Sequence, residues 1–206
     1  MTRAHQLRRA SLLAPLLLMA LPPSVQAHGA IKGLEGFASG LVHPLTIPAH
    51  VLVILSLGLL AGQQTPQRLR APMFVLMPAL ACALLFTLTR VFTGIPQPIP
   101  IALALCAAVL VAVAKPVPMP AIQALFALGG IVLGLDSAPE SVPLAITLKS
   151  LLGTWVIVVF LVFDVAYYSA LAARRNWSQV GLRVLASWII AVSVLMLAFA
   201  LQKWRA

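Results

Sequence analysis

Two histidines, His43 and His50, stand seven residues apart at the start of a long apolar stretch that also carries two prolines. Neutral imidazole is a ligand that suits nickel, copper, zinc and iron alike. On a straight helix the two rings would share a face but lie about 10 Å apart along the axis. That separation is too large for one tightly bound ion. The pair therefore predicts successive sites along a path, or a single site if the prolines bend the chain.

The two prolines predict such a bend. Pro48 has no N–H group, and in a continuous helix its ring would clash with the carbonyl of Pro44. A new helix is expected to start at Pro48 and to end near Ala61, which is about 21 Å and too short to cross the hydrocarbon core. The segment that holds His43 must then enter the membrane as a bent approach. Transporters place substrate and ion sites in broken helices of this kind.

The composition places the chain in a membrane. Hydrophobic residues make up 62% of the sequence and charged residues 9%, whereas an ordinary soluble domain is about 25% charged. A formal charge of +10 would suggest nucleic acid in a soluble protein. Here the basic residues lie mostly between apolar spans, where membrane topology explains them. We therefore expect a lipid bilayer as partner and no nucleic acid.

The predicted fold is all-α. It is a polytopic membrane bundle of about six transmembrane helices after an N-terminal signal peptide, with the first span broken by prolines. The signal peptide is predicted to cover residues 1–27 and to be cleaved after Ala27, because its apolar run from Ser11 to Leu21 is too short to span a bilayer. An uncleaved anchor is the alternative. Residues 28–206 form a single transmembrane domain. Its spans are expected at about 41–61, 71–93, 99–114, 119–135, 144–170 and 181–202.

The predicted leader and the charges of the loops indicate the same orientation of the chain in the membrane. A cleaved leader leaves the mature N-terminus outside a bacterial inner (cytoplasmic) membrane. The basic residues then predicted on the inner side are Arg68, Arg70, Lys115, Arg174, Arg175 and Arg183, and those outside are Lys32, Lys203 and Arg205. An excess of basic residues inside supports this multi-pass topology.

Four ionisable residues fall toward the same outer side as His43, namely Arg90, Asp136, Glu140 and Lys149. Ionisable groups in membrane spans are costly and by default indicate function. Asp136 and Glu140 are therefore candidate metal ligands beside the two histidines, although "DSAPES" is also an ordinary solvated turn. His28 is a further candidate, since leader cleavage would place its free amine beside its imidazole.

The remaining polar residues are interpreted as pathway or structural groups. Asp164 lies deeper, in the fifth span, where it serves as an inner ligand or proton carrier or pairs with one of the inner arginines Arg174, Arg175 and Arg183. Lys149 pairs with an acid or extends outward, and beside a metal path it would repel the cation. Arg90 is likewise interpreted as a pathway or structural residue. Cys82 and Cys106 have no ligand spacing and are expected to be small buried apolar residues.

The stretch "GFASGLVHPLTIPAHVLVILSLGLLAGQQ" resembles the first-span signature of the HupE/UreJ proteins, membrane proteins associated with hydrogenase and urease and regarded as nickel permeases. That signature joins a glycine-rich approach, a His-Pro-Leu, a second histidine and a Gly-Leu. It is matched by Gly36, Gly40, His43, Pro44, Leu45, His50, Gly58 and Leu59. The resemblance implies a secondary permease for a divalent metal ion such as nickel, cobalt, zinc or copper, with metalloenzyme maturation proteins as partners.

The chain departs from the family pattern at three places. Ala49 stands where the family usually has an acidic residue, and "GGIVLGLDSAPE" replaces a histidine-rich end of the fourth span. A histidine expected in the fifth span is absent from "TLKSLLGTW". These departures favour a second hypothesis, a non-transporting membrane accessory protein that helps to assemble a metalloenzyme or another complex.

Other function classes find less support in the sequence. It contains no GxxxxGK[ST], HExxH or GxSxG motif, so we expect neither an enzyme nor an ATP-driven pump. No permanently bound cofactor is expected, since haem in a bundle normally takes ligands from facing helices and both histidines lie on one segment. The spacings Gly58/Gly62 and Gly130/Gly134 allow close helix packing. They fit internal packing and a homo-oligomer equally.

Overall fold

Seven α-helices make up the described part of the chain. The computed structural model describes residues 36–64, 68–91, 94–137 and 143–203, and within them it contains no strand. The helices are α1 (Phe37–Thr46), α2 (Pro48–Gln64), α3 (Arg70–Phe86), α4 (Pro98–Val113), α5 (Met119–Leu135), α6 (Leu144–Ala172) and α7 (Asn176–Lys203). They fall at the six predicted spans, because α1 and α2 share the first. The predicted leader lies outside the described residues.

Helix length and composition support a membrane bundle. Three segments are long and apolar enough to cross a membrane: α3 with its following 3-10 turn (Thr87–Thr89), α6 and α7. The bent pair of α1 and α2 makes a fourth if it is counted as one span. Helices α4 and α5 are apolar but have only 16 and 17 residues, about 24 to 26 Å of helix against a core of about 30 Å. The helical membrane bundle is confirmed, and the count of six crossings stays a prediction.

The first span is broken at Ile47. Its backbone is extended, with φ −103° and ψ 108°, as expected because steric contact with the following proline disfavours the helical conformation. Pro48 then opens α2, where its missing N–H group leaves no helical hydrogen bond unmade. The axes of α1 and α2 meet at 83°. The predicted proline break is thus confirmed.

Helix α2 lies at the centre of the bundle. It packs against α4 and α6, while α3 packs against α5, α1 against α6, and α7 against α4. A helix that is apolar on every face is suited to such a position. The largest fully buried apolar side chains come from five of these helices and include Leu57, Leu60, Leu76, Leu80, Ile101, Phe126 and Val158. This core fixes the start of α2 relative to the end of α5.

Two side chains form hydrogen bonds to carbonyls in the last turn of α4. Gln63 donates from Nε2 to the carbonyl of Val111 at 3.1 Å, and Arg183 donates from Nε to the carbonyl of Ala112 at 2.9 Å. Carbonyls in the last turn of a helix have no partner within that helix. Arg183, predicted from its charge to lie on the inner side, therefore also has a structural role.

The two Gly-x-x-x-Gly pairs serve packing within the chain. Gly58 and Gly62 lie against α6, and Gly130 and Gly134 lie against α3. A Cβ atom at Gly58 would come within 2.6 Å of the Cβ atom of Val165. Both pairs make their contacts inside one chain. They therefore give no evidence for an oligomer.

We expect Gly62→Ala to destabilise the protein by about 1–3 kcal/mol, the usual cost of overpacking. The new methyl group would overlap Ser169 and approach the carbonyl of Ala166 to 2.5 Å. Gly181→Ala in α7 is the matched control, because nothing lies within 4 Å of the position of its Cβ atom. That change is expected to be neutral or stabilising by about 0.5–1 kcal/mol. Unfolding by denaturing detergent checks both, and equal stability of the two variants would contradict the packing.

The expected burial of the two cysteines is wrong. Cys82 and Cys106 are both exposed on the outside of the bundle. Lipid is as apolar as a protein core. A small apolar residue in a span can therefore face the lipid or the core with little difference in free energy. Their thiols are therefore accessible from outside the packed core.

Candidate metal site at the helix break

The bend between α1 and α2 brings the two histidines together. The ring centroids of His43 and His50 are 5.9 Å apart and their planes are inclined at 71°. A straight helix would separate the same residues by about 10 Å along its axis. Of the two arrangements that the sequence allowed, the structure has the compact one.

His50 is held by an acidic residue from another helix. Its side chain is fully buried, and Nε2 lies 2.8 Å from Oδ2 of Asp136. Asp136 immediately follows the last residue of α5. Because an ionised carboxylate only accepts hydrogen bonds, Nε2 of His50 carries the proton in this contact. In a neutral ring the lone pair is then on Nδ1.

Asp136 is stabilised as a carboxylate. Burial by itself raises the pKa of this carboxyl group, but the hydrogen bond from His50 and attraction to that ring in its protonated form lower it. The backbone N–H of Ile95 donates to Oδ1 at 3.2 Å and lowers the pKa further, as does attraction to a protonated His43. The balance lies below the ordinary pKa of aspartate. The site therefore carries a negative charge beside its two imidazoles.

The arrangement leaves one ring nitrogen for a ligand. Nδ1 of His50 is buried and has no hydrogen-bond partner among the described residues. Histidines that bind metals usually donate their other ring N–H to a carboxylate, which fixes the tautomer. Within the described ranges no three histidine, cysteine or acidic side chains are arranged to hold a metal ion. The described residues can thus offer two imidazoles at this site.

The other predicted residues are placed around this site or beyond the described residues. Lys149 is exposed on α6, and its side chain lies beside Gly36 at the start of α1. Arg90 is exposed and has a left-handed backbone with φ 56° after the 3-10 turn. Glu140 and His28 lie outside the described residues. Their assignment as ligands remains a prediction.

Asp164 lies apart from the histidines. It lines a groove of about 520 Å³ between α2, α6 and α7 whose other lining residues are mostly apolar. Leu52, Leu55 and Leu59 form the α2 side of this groove, and His50 points about 160° away from Leu52 on a regular helix. No described residue makes an ion pair or hydrogen bond with Asp164, so the pairing with an inner arginine is not formed.

The sequence does not reveal two residues that form hydrogen bonds at or next to the site. Ile95 contributes only its backbone N–H, which has no sequence signal. Thr154 on α6 donates from Oγ1 to the carbonyl of Gly40 at 3.1 Å, next to the histidine helix α1. The signal that could have indicated such a donor is Pro44, because a proline within a helix leaves the carbonyl four residues earlier without its usual partner.

Comparisons with known proteins identify one family. The family model described as HupE / UreJ protein matches residues 16–198, which is most of the chain. No curated protein matches the chain, and no solved structure does.

Proposed function

Because the chain belongs to the HupE/UreJ family of membrane proteins, we propose that it is a secondary permease for a divalent transition metal ion, nickel or a similar ion. The observation that carries this proposal is the approach of His43 to His50 across the helix break, at 5.9 Å between ring centroids. Two imidazoles at the mouth of a broken membrane span are a suitable entry site for such an ion.

The ligand chemistry supports a transition metal. Imidazole suits nickel, copper and zinc, while calcium and magnesium require oxygen ligands. Asp136 holds the ring of His50 so that Nδ1 is available, and its carboxylate attracts a cation. We propose that Asp136 acts mainly through His50, because its Oδ2 atom is already engaged at 2.8 Å.

A site of two imidazoles also suits transport. Conduction requires binding that is favourable enough for entry and weak enough for release. Two protein ligands and exchangeable waters meet this requirement better than a closed four-ligand site, which would retain the ion. The metal is thus a substrate, and no permanently bound cofactor is proposed.

The proposed location is the bacterial inner membrane, with the histidine site on the outer side. Six arginines and lysines in or next to the connections between helices would then face the cytoplasm, in agreement with the positive-inside rule. Metalloenzyme maturation proteins on the inner side would receive the ion, and a homo-oligomer is compatible with this arrangement.

Two features favour a second candidate, a membrane accessory protein that does not transport. Ala49 stands where the family usually has an acid, and the described residues provide no third ligand to the histidine pair. In this case the histidines would hold a metal, or a partner's side chain, without passing an ion across. Transport by the purified protein separates the two candidates.

We expect the purified protein in liposomes to admit nickel, cobalt, zinc or copper, as recorded by a metal-sensitive dye inside the vesicles. Calcium and magnesium should not enter, because imidazole is a poor ligand for them. Empty vesicles and vesicles with the His43→Ala/His50→Ala double variant are the controls. If wild-type protein moves none of the four transition metals, the permease is refuted and the accessory protein takes its place.

A further inference from the structure

Helix α1 contains a carbonyl that its own helix cannot satisfy. In an α-helix the carbonyl of Gly40 would accept from the N–H group of residue 44. That residue is Pro44, which has no N–H group. The proline that follows His43 therefore removes one hydrogen bond from the helix that carries His43.

A residue on α6 supplies the missing donor. The hydroxyl of Thr154 donates to the carbonyl of Gly40 at 3.1 Å, and Thr154 is only 2% exposed. The two helices are close enough because both have glycine at the contact. A Cβ atom at Gly40 would overlap the carbonyl of Ser150, and one at Gly153 would overlap the carbonyl of Phe37.

This contact bears on the distance between the histidines. Helix α1 packs mainly against α6 and only lightly against α2, so α6 determines where α1 lies. His43 is one helical turn beyond Gly40, whereas His50 belongs to α2. The two rings can therefore keep their separation only while α1 stays docked on α6.

We propose that Thr154 is a positioning residue of the histidine site. Its hydroxyl replaces the hydrogen bond that Pro44 removes, and it holds α1 at the angle that brings His43 to His50. The role in metal binding rests on the function proposed above, while the role in holding α1 does not.

The test is a double-mutant cycle in the full chain. Thr154→Val removes the hydroxyl with little change in volume, and Thr154→Ser keeps a donor. Pro44→Ala restores a backbone N–H group that can bond to Gly40. We expect Thr154→Val to weaken nickel binding by about tenfold or more, as loss of supporting hydrogen bonds around metal ligands does. Thr154→Ser should bind nearly as the wild type.

The decisive expectation is the coupling. In the Pro44→Ala background, Thr154→Val should weaken nickel binding less than twofold, because residue 44 then satisfies Gly40. Thr87→Val is the matched control: Thr87 is also buried, but its hydroxyl bonds to Leu84 one turn earlier in its own segment. A merely structural loss would give similar effects in both backgrounds and would overturn the proposal.

A second measurement needs no metal. In a chain with Cys82 and Cys106 replaced by alanine, His43→Cys and His50→Cys can be joined by a short bifunctional thiol reagent. Thr154→Val should reduce the yield of this cross-link, and Thr154→Ser should retain it. Reduced cross-linking, with no binding of nickel, cobalt, zinc or copper by wild-type protein, would keep the positioning role and refute the metal site. Unchanged cross-linking with intact nickel binding would refute the positioning role alone.

Discussion

Replacing either His43 or His50 by alanine is expected to abolish transition-metal uptake while leaving the protein folded in the membrane. Within the described residues the site offers two imidazoles, so each change removes half of the protein ligands found there. Loss of an outer-shell partner alone costs about 10- to 100-fold in metal affinity, and loss of a ligand should therefore cost at least about 100-fold. Uptake into vesicles and nickel binding by calorimetry measure the effect.

Cys82→Ala and Cys106→Ala are the controls for the histidine variants. Both thiols are soft ligands, but they lie exposed on the outside of the bundle, whereas His50 is fully buried. Their removal should leave uptake unchanged. Folded His43→Ala and His50→Ala proteins that both transport at the wild-type rate would exclude these residues from the path. If wild-type protein transports nothing and the histidine variants lose a partner protein instead, the accessory function is supported.

Asp136→Asn is expected to lower metal affinity by about 10- to 100-fold, the range found for partners of metal-binding histidines. The carboxylate accepts from Nε2 of His50 and thereby leaves Nδ1 with the lone pair. An amide can instead donate to Nε2, which would place the proton on Nδ1 and block the ligand position. The variant would also lose the negative charge that attracts the cation.

Asp164→Asn is the matched control, because it makes the same chemical change elsewhere in the bundle. Asp164 lies in the groove between α2, α6 and α7, and it makes no ion pair with His50. The metal affinity of the Asp164→Asn variant at the histidine site should remain within about twofold of wild type. Nickel titrations of the two variants measure the difference. Equal losses would show that general negative charge, rather than the contact with His50, supports binding.

The sequence by itself determined the class of protein and the local form of the chain. A composition that is 62% hydrophobic requires lipid, and apolar runs of helical length then require helices. The break at Ile47 was also local, since Pro48 restricts the residue before it and favours a helix start. These features depend on neighbouring residues and covalent geometry, so they can be recognised without the fold.

The tertiary structure decided which side chains meet. His50 and Asp136 are 86 positions apart in the chain, and their contact depends on how α5 packs around α2. The seven-residue spacing of His43 and His50 allowed two separate positions or a close pair, and the 83° angle between α1 and α2 brings the rings to 5.9 Å. Helix angles follow from packing of whole surfaces, and small residues such as Gly40 and Gly153 permit the close approach.

The sequence also could not predict which face of each helix points into the bundle. Cys82 and Cys106 were expected inside and lie outside, and Asp164 lies in a groove away from the histidines. In water, burial of apolar surface would separate the inner from the outer face of a helix. In a bilayer both surroundings are apolar, so close packing and hydrogen bonds between helices decide the face instead, and these exist only in the assembled bundle.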